Sequence, residues 1–294
     1  MPAPATTPAA SAAPAASAKP VTPAPATTRT VDLPHGLSVT LAAYGSPTDG
    51  TGVLLLHGGA GPGTMTGLAA ALSEHAYAIA PVHPGFDGTP RPEWCDSIAD
   101  LAVAYLDLLD ALELTDVLVI GSSVGGWIAS EMALRDTKGR IGSLTLLNAV
   151  GVRPRMKAHQ VVDPRGMAPA EIGKLSFADP AFRPDFSAFT DEQRANAAAN
   201  QRTLGVYGGP EFSYDPKLRG RLHRVTLPVL VVWGESDGIA SLPYGRGYAA
   251  SFPDSRFVPV ADAGHFPQIE QLGTVLAAIG DFAGTVRGRD AIHG

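Results

Sequence analysis

Three residues that could cooperate in nucleophilic catalysis each follow an apolar run of the sequence. Ser123 lies in a Gly-x-Ser-x-Gly motif, Asp237 follows the run Val-Leu-Val-Val-Trp-Gly, and His265 lies in Ala-Gly-His-Phe-Pro. A histidine can take the proton of a serine hydroxyl that attacks a carbonyl carbon, and a carboxylate can orient that histidine. The chain order serine, aspartate, histidine therefore predicts Ser123 as nucleophile, Asp237 as orienting acid and His265 as base.

The residues around Ser123 fit a sharp turn between a strand and a helix. Gly121 and Gly125 leave room where a Cβ would clash. Such a turn lifts the Ser123 hydroxyl out of the sheet and aims the Val124 amide at the position where oxyanion charge develops. Ser122 has no glycines at the matching positions, so we interpret it as a neighbour of the nucleophile.

A glycine-rich loop, His-Gly-Gly-Ala-Gly-Pro-Gly, begins at His57 and follows another apolar run. Such a loop lets a backbone N–H approach an oxyanion closely, and we predict that Gly59 supplies the second donor beside Val124. The loop lacks the Gly-Lys-Ser/Thr ending of a phosphate-binding loop. We interpret His57 as a structural residue that positions the loop.

The second carboxylate after the Val-Leu-Val-Val-Trp-Gly run is Glu235, which competes with Asp237 for the role of acid. Glu235 directly follows the predicted strand and lies too close to its end. We therefore favour Asp237 as the residue that holds the imidazole of His265 and stabilises its charged form.

The elements that must position these residues alternate along the chain. Short apolar runs typical of buried parallel strands are separated by stretches with helical spacing, of which 97–112 is the clearest. Ser97 with Asp100 three residues later resembles a capping box at the start of that helix. This alternation predicts an α/β fold with a mostly parallel sheet, opened by an antiparallel hairpin near residues 31–44.

Composition divides the chain into a tail, a core and an insertion. Residues 1–28 are almost wholly Ala, Pro, Thr and Ser and predict a disordered tail. The alternation of strands and helices predicts a core of residues 29–148 and 227–294. Residues 149–226 break the alternation and predict an inserted helical cap; a long disordered loop is the alternative, although such loops are rare inside compact domains.

The overall charge and cysteine content narrow the classes of partner. The formal net charge is −6 with no long basic run, which argues against nucleic acid or an anionic membrane as a partner. The single cysteine, Cys95, excludes an internal disulfide and fits a reducing compartment. There is no long apolar segment, no secretory signal pattern and no histidine cluster at metal-ligand spacing. We expect a cytoplasmic protein that acts on a small molecule without a metal.

Over roughly residues 30–285 the chain resembles the α/β-hydrolase family. The carriers of this resemblance are five motifs: His57-Gly58-Gly59, His83-Pro84-Gly85-Phe86-Asp87-Gly88-Thr89, Gly121-Ser122-Ser123-Val124-Gly125-Gly126, Trp233-Gly234-Glu235-Ser236-Asp237 and Gly264-His265. The resemblance implies an eight-stranded sheet flanked by helices, oxyanion amides from Gly59 and Val124, and no cofactor.

The loop after His57 is similar to that of carbon–carbon bond hydrolases that act on ring-cleavage products, and somewhat to that of proline iminopeptidases. Ser122 stands where the ring-cleavage hydrolases usually have Asn, and Phe266 stands where they usually have Trp. Dehalogenases and epoxide hydrolases of this fold use an aspartate nucleophile, and Ser123 argues against both.

These observations predict a serine hydrolase that cleaves a small ester, thioester or related carbonyl substrate through an acyl-enzyme on Ser123. One alternative is a carbon–carbon hydrolase whose cap holds a substrate carboxylate through Arg194 or Arg202. Another is a non-catalytic ligand receptor on the same fold. The cap aromatic residues predict either an apolar substrate pocket or a small core of the cap itself. These residues are Phe177, Phe182, Phe186, Phe189, Tyr207, Phe212 and Tyr214.

Overall fold

The computed structural model of the chain describes residues 26–47 and 51–293, with side chains described up to residue 286. Most of the predicted tail, residues 1–28, therefore lies outside the described residues. The first strand, β1, already spans Thr27–Leu33, so Thr27 and Thr28 pair in the sheet and do not belong to a tail.

Eight strands form one sheet in the order β1-β2-β4-β3-β5-β6-β9-β10. Their bounds are Thr27–Leu33 (β1), Leu37–Tyr44 (β2), Val53–Leu56 (β3), Ala78–Pro81 (β4), Val117–Ser122 (β5), Ile141–Leu147 (β6), Val229–Gly234 (β9) and Ser255–Val260 (β10). The β1–β2 and β2–β4 pairs are antiparallel and the other neighbours are parallel. The predicted α/β fold with a mostly parallel eight-stranded sheet is confirmed. A separate parallel pair joins β7 (Gly151–Val152) to β8 (Tyr214–Asp215).

Helices follow most of the strands. Their bounds are Thr66–Leu72 (α1), Ile98–Ala111 (α2), Val124–Arg135 (α3), Pro169–Ser176 (α4), Asp191–Gly208 (α5), Leu218–Arg221 (α6), Leu242–Ala249 (α7), Pro267–Glu270 (α8) and Leu272–His293 (α9). The capping box predicted at the start of α2 is present, because Ser97 and Asp100 each accept a backbone N–H from the other. In the described ranges, no helix combines the length and apolar character needed to cross a bilayer.

Both faces of the sheet are buried, which explains why its central strands are apolar throughout. On β3, Leu54 and Leu56 face one core together with residues of α2 and α3, whereas Leu55 faces a second core with residues of α1 and α9. Side chains alternate in this way because successive residues of a strand point to opposite faces. The carboxyl ends of β5, β6 and β9 consequently meet at one edge of a rigid sheet.

The predicted cap, residues 149–226, contains α4 and α5 but does not form one separate layer. Leu218, Leu222 and Val225 are almost fully buried in the same core as α3. The apolar face of the segment around α6 thus packs on the core, and the division at residue 226 stays a prediction.

Candidate active site

The turn between β5 and α3 places Ser123 at the carboxyl edge of the sheet. Ser123 has φ 54° and ψ −118°, a conformation that non-glycine residues rarely adopt and that persists only when its surroundings hold it. Its N–H donates to the Leu147 carbonyl at 2.9 Å, and its carbonyl accepts from Gly126 and Val150 at 3.0 and 3.1 Å. Three backbone hydrogen bonds thus fix the serine that the sequence predicts as nucleophile.

The two glycines of the motif are required by close backbone contacts. A Cβ on Gly121 would lie 2.3 Å from the Gly125 carbonyl oxygen, and one on Gly125 would lie 2.1 Å from the Leu56 carbonyl oxygen. Neither backbone oxygen belongs to a flexible side chain that could move aside. The tight strand–turn–helix packing predicted from the motif is therefore present.

Asp237 and His265 are joined by a hydrogen bond in a buried site. His265 Nδ1 lies 2.8 Å from Asp237 Oδ2, while Asp237 Oδ1 accepts the N–H groups of Ile239 and Ala240 at 2.7 and 2.9 Å. The His265 N–H donates to the Ser176 carbonyl at 2.7 Å. With Nδ1 bound to the carboxylate, His265 has its Nε2 left to exchange a proton with a substrate or nucleophile.

Ser123 and His265 line the same cavity. In the described part of the chain no hydrogen bond joins the Ser123 hydroxyl to the His265 ring, although such bonds often tighten only when substrate binds. Glu235, the competing carboxylate, is exposed and contacts β10 through its backbone N–H, so Asp237 and not Glu235 reaches the histidine.

Asn148, a fully buried residue just beyond β6, was not predicted from the sequence. Its side-chain amide donates to Asp237 Oδ2 at 2.6 Å, and its Oδ1 accepts the Gly234 N–H at 3.1 Å. Asn148 therefore holds the carboxylate against the end of β9. The only signal in the sequence is a polar residue that directly ends an apolar strand.

Glu270 was also missed, although it supports the loop that carries His265. Its carboxylate accepts the Gly264 N–H at 2.6 Å and the Asp179 N–H at 2.9 Å. The loop before His265 is thereby joined through one buried side chain to the segment that follows α4. Because these two segments are far apart in the sequence, no local pattern could have indicated this contact.

Two stacked histidines support the glycine-rich loop. The rings of His57 and His83 have centroids 3.7 Å apart. The His83 N–H donates to His57 Nε2 at 3.0 Å, so the His57 proton lies on Nδ1 and is donated to the Gly58 carbonyl at 2.7 Å. His83 Nε2 donates to the His57 carbonyl at 2.8 Å, and its Nδ1 accepts from the Tyr105 hydroxyl at 2.5 Å.

Burial keeps both histidines neutral. Desolvation lowers the pKa of His57 to about 4, against small opposing effects of the Gly58 carbonyl and of Asp87. Desolvation, followed by the nearby His57 ring, lowers the pKa of His83 well below its ordinary value. Neither ring is free to act as a base, which agrees with the structural role predicted for His57.

The hydrogen bond from His57 determines the direction of the next peptide N–H. The Gly58 carbonyl accepts both from His57 and from the Gly61 N–H at 3.1 Å. Because the carbonyl and the following N–H of a trans peptide point in opposite directions, the Gly59 N–H is turned away from His57. Gly59 and Val124 line the cavity, and among the described residues neither N–H has a hydrogen-bond acceptor. Two amides are therefore available to an oxyanion.

The cavity in front of these groups has a volume of about 370 Å³. Among the residues that line it there is no Asp, Glu, Lys or Arg. The walls combine aliphatic and aromatic side chains from the core edge, α4, α5 and the segment between them. The largest are Val150, Ile172, Phe177, Phe182, Phe186, Leu204, Phe212, Ile239, Phe266 and Ile269.

The cap residues predicted from the sequence divide between the cavity and other roles. Phe177, Phe182, Phe186 and Phe212 line the cavity, whereas Phe189, Tyr207 and Tyr214 do not. The Tyr207 hydroxyl donates to the Pro84 carbonyl, and the Tyr214 hydroxyl donates to Glu211. Four of the seven aromatic residues therefore line the cavity, as the first interpretation predicts, and a separate core of the cap stays a prediction.

The two arginines considered for carboxylate binding do not reach the cavity. Arg194 pairs with Asp191 at 2.9 Å and also donates to the Phe189 carbonyl. Arg202 is exposed on α5 and is absent from the cavity lining. Neither could hold a carboxylate next to Ser123 in this arrangement.

Helix α5 is held to the loop after β4 by side-chain hydrogen bonds. Asp87 Oδ1 accepts the amides of Asn200 and Asn196 at 2.7 and 3.0 Å, and the Asp87 N–H donates to Asn200 Oδ1 at 2.9 Å. Thr203 also donates to the Gly85 carbonyl at 2.9 Å. These contacts place Leu204 against Gly59 of the glycine-rich loop, where a Cβ on Gly59 would lie 2.4 Å from the Leu204 side chain. In the described ranges no three His, Cys, Asp or Glu side chains are grouped as metal ligands.

Comparison with known proteins assigns the family. Residues 53–278 match the alpha/beta hydrolase family, so the chain belongs to that family and is a hydrolase. A 2-hydroxy-6-oxo-2,4-heptadienoate hydrolase from Pseudomonas putida is 27% identical over 79% of this chain and 89% of its own length. A pimeloyl-[acyl-carrier protein] methyl ester esterase from Chromobacterium violaceum is 27% identical over 72% of this chain and 84% of its own.

A solved structure supports the fold independently. A thermophilic esterase from Thermogutta terrifontis superposes with a TM-score of 0.67, covering 88% of this chain and 99% of its own, at 22% identity. At this identity the likeness concerns the fold. Neither the family nor the fold identifies the substrate, so the substrate has to be inferred from the cavity.

Proposed function

We propose that the protein is a serine esterase that cleaves a neutral ester or thioester with an apolar acyl group. Ser123 is the nucleophile, His265 the general base and Asp237 the residue that orients the imidazole. The observation that carries the proposal is a single cavity, lined by Ser123, His265 and two unpaired amides, whose remaining walls carry no Asp, Glu, Lys or Arg.

In the first step the Ser123 hydroxyl attacks the substrate carbonyl carbon while His265 Nε2 takes its proton. The tetrahedral oxygen accepts hydrogen bonds from the Gly59 and Val124 N–H groups, whose removal costs about 3–4 kcal/mol in comparable oxyanion sites. His265 then protonates the departing alcohol or thiol, which leaves an acyl group on Ser123. Water, activated by His265, hydrolyses this ester and restores the enzyme.

The uncharged cavity supports a neutral substrate. A carboxylate held in an apolar site without a cation loses its hydration, and the cost is several kcal/mol. Arg194 and Arg202, the cations nearest in the sequence to the cavity residues of α5, are engaged or exposed elsewhere. This argues against the carbon–carbon hydrolase alternative, whose substrates are carboxylic acids, despite the 27% identity to one such enzyme.

A matched pair of chromogenic esters tests the proposal. We expect p-nitrophenyl hexanoate to be hydrolysed with a kcat/KM at least about a hundredfold higher than the mono-p-nitrophenyl ester of adipic acid, because about 2.7 kcal/mol corresponds to that ratio. The two acyl groups have the same chain length and differ in the terminal carboxylate. Equal turnover of both esters, or turnover only of a vinylogous diketone acid, would overturn the proposal.

A further inference from the structure

A second pocket lies apart from the catalytic cavity and is lined mainly by cations. Its volume is about 440 Å³, and it shares no lining residue with the first cavity. It forms where the chain after β7 meets the segment around α6. The lining residues are Arg153, Arg155, Pro216, Lys217, Arg219, Gly220 and Arg221.

Most of the positive charge in this pocket is not balanced. Arg221 pairs with Glu131 at 2.8 Å and with Asp215. In the described ranges, none of the other four cations of the pocket has a carboxylate within ion-pair distance. This concentration of charge is notable in a chain whose formal net charge is −6.

Arg219 is the least exposed of the four cations that have no carboxylate partner. It is partly buried, and its guanidinium donates to the Ser251 hydroxyl at 2.7 Å and to the Gly247 carbonyl, both of which are neutral. Its Nε is buried without a hydrogen-bond partner. Desolvation, followed by the nearby charge of Arg155, lowers the pKa of Arg219 from its ordinary value. An anion in the pocket would offset the cost of desolvating the Arg219 guanidinium and would reduce its repulsion from Arg155.

Three further cations surround Arg219 in the pocket: Arg153, Arg155 and Lys217. All three side chains are exposed at the mouth of the pocket, so their ammonium and guanidinium groups can turn toward a ligand. Guanidinium groups present paired N–H donors that match phosphate oxygens. A monocarboxylate carries a single charge and would leave most of this positive charge unbalanced.

We propose that this pocket binds the phosphate or diphosphate group of a soluble ligand. Two features support a multiply charged anion over a monoanion: several converging cations, and a volume that exceeds what one small ion needs. The site is separate from the catalytic cavity, so it does not depend on the proposed esterase activity. Hydrolysis of p-nitrophenyl butyrate provides an independent check that each variant is folded.

Isothermal titration with sodium pyrophosphate, in sodium chloride buffer of constant ionic strength, measures binding directly. We expect Arg155→Gln and Lys217→Gln each to raise the Kd at least about fivefold, since each variant removes a charge-assisted hydrogen bond to the anion at the mouth of the pocket, where such a bond is weaker than in a buried site. Neither side chain makes an ion pair in the described ranges, so both variants should hydrolyse p-nitrophenyl butyrate at the wild-type rate.

The control is Arg224→Gln, which removes the same charge from an exposed arginine outside the pocket. It should leave the Kd within about twofold, because the Arg224 side chain does not line the pocket. No heat of binding in the wild type, or equal loss in all three variants, would overturn the proposal. Binding to phosphatidylglycerol vesicles but not to pyrophosphate would also overturn it, since the ligand would then be a lipid surface.

Discussion

The buried, neutral imidazole of His57 makes the stability of the fold depend on pH in a way that one substitution can isolate. In the unfolded chain a histidine takes up a proton near pH 6.5, whereas in the folded protein His57 does so near pH 4. Between these values the unfolded state binds more protons, so the free energy of unfolding falls as the pH falls.

The magnitude follows from the difference between the two pKa values. A difference of about 2.5 pH units, at about 1.4 kcal/mol per unit, corresponds to about 3–4 kcal/mol. This stability is fully present above pH 6.5 and is lost progressively as the pH decreases to about 4. His83 contributes in the same direction, because burial also lowers its pKa.

The perturbation is His57→Asn. The asparagine amide can still donate to the Gly58 carbonyl, but it does not titrate and leaves the His83 N–H without its acceptor at Nε2. We therefore expect the unpaired N–H to lower the free energy of unfolding by about 1–3 kcal/mol, and this contribution is the same at every pH. We also expect a shallower dependence of the free energy of unfolding on pH.

Urea unfolding monitored by tryptophan fluorescence at intervals from pH 7.5 to pH 4.5 measures both effects. The difference in stability between wild type and His57→Asn should shrink by about 2–3 kcal/mol over this range. His75→Asn, made at an exposed position, controls for the loss of a histidine from the chain. A constant difference across the whole range would refute the conclusion that His57 is buried and neutral.

Two further contacts give predictions about activity. Asn148→Ala removes the amide that donates to Asp237 and should lower kcat about tenfold to a hundredfold, since hydrogen bonds to charged groups contribute about 1.5–3 kcal/mol. Glu113→Ala controls for the backbone cost, because Asn148 has φ 43° and the exposed Glu113 has φ 54°. Equal kcat values in the two variants would contradict the positioning role. Asp87→Ala removes two hydrogen bonds to α5 and should raise KM and lower the Tm by a few degrees, about 1–2 kcal/mol. An unchanged KM would show that α5 does not depend on this contact.

The sheet could be predicted because each central strand is buried on both faces and is therefore apolar throughout. The strand ending at Leu56 was predicted for this reason. The helix beginning at Val124 was predicted from the glycine motif around Ser123. Helix α7 was not predicted, because Gly245 and Gly247 interrupt its helical pattern. The structure explains one of them: a Cβ on Gly245 would lie 2.3 Å from the Trp233 ring.

The proximity of Ser123, Asp237 and His265 could be predicted because each follows a strand whose carboxyl end meets the same edge of the sheet. Asn148 could not, since its role depends on the pairing of β6 with β9, which the local sequence does not indicate. The second pocket, lined by cations, could not be predicted either. Its cations near Arg155 and near Arg219 are far apart in the chain and are brought together only by the β7–β8 pair and α6.

The role of Ser123 as nucleophile is tested most directly by covalent labelling with a fluorophosphonate, followed by peptide mass spectrometry. We expect one adduct, on Ser123, in the wild type and none in Ser123→Ala. Ser122→Ala is the matched control, because Ser122 is buried, accepts from Gln268 and does not line the cavity. It should label like the wild type. Labelling that persists in Ser123→Ala, or no labelling of the wild type, would contradict the mechanism.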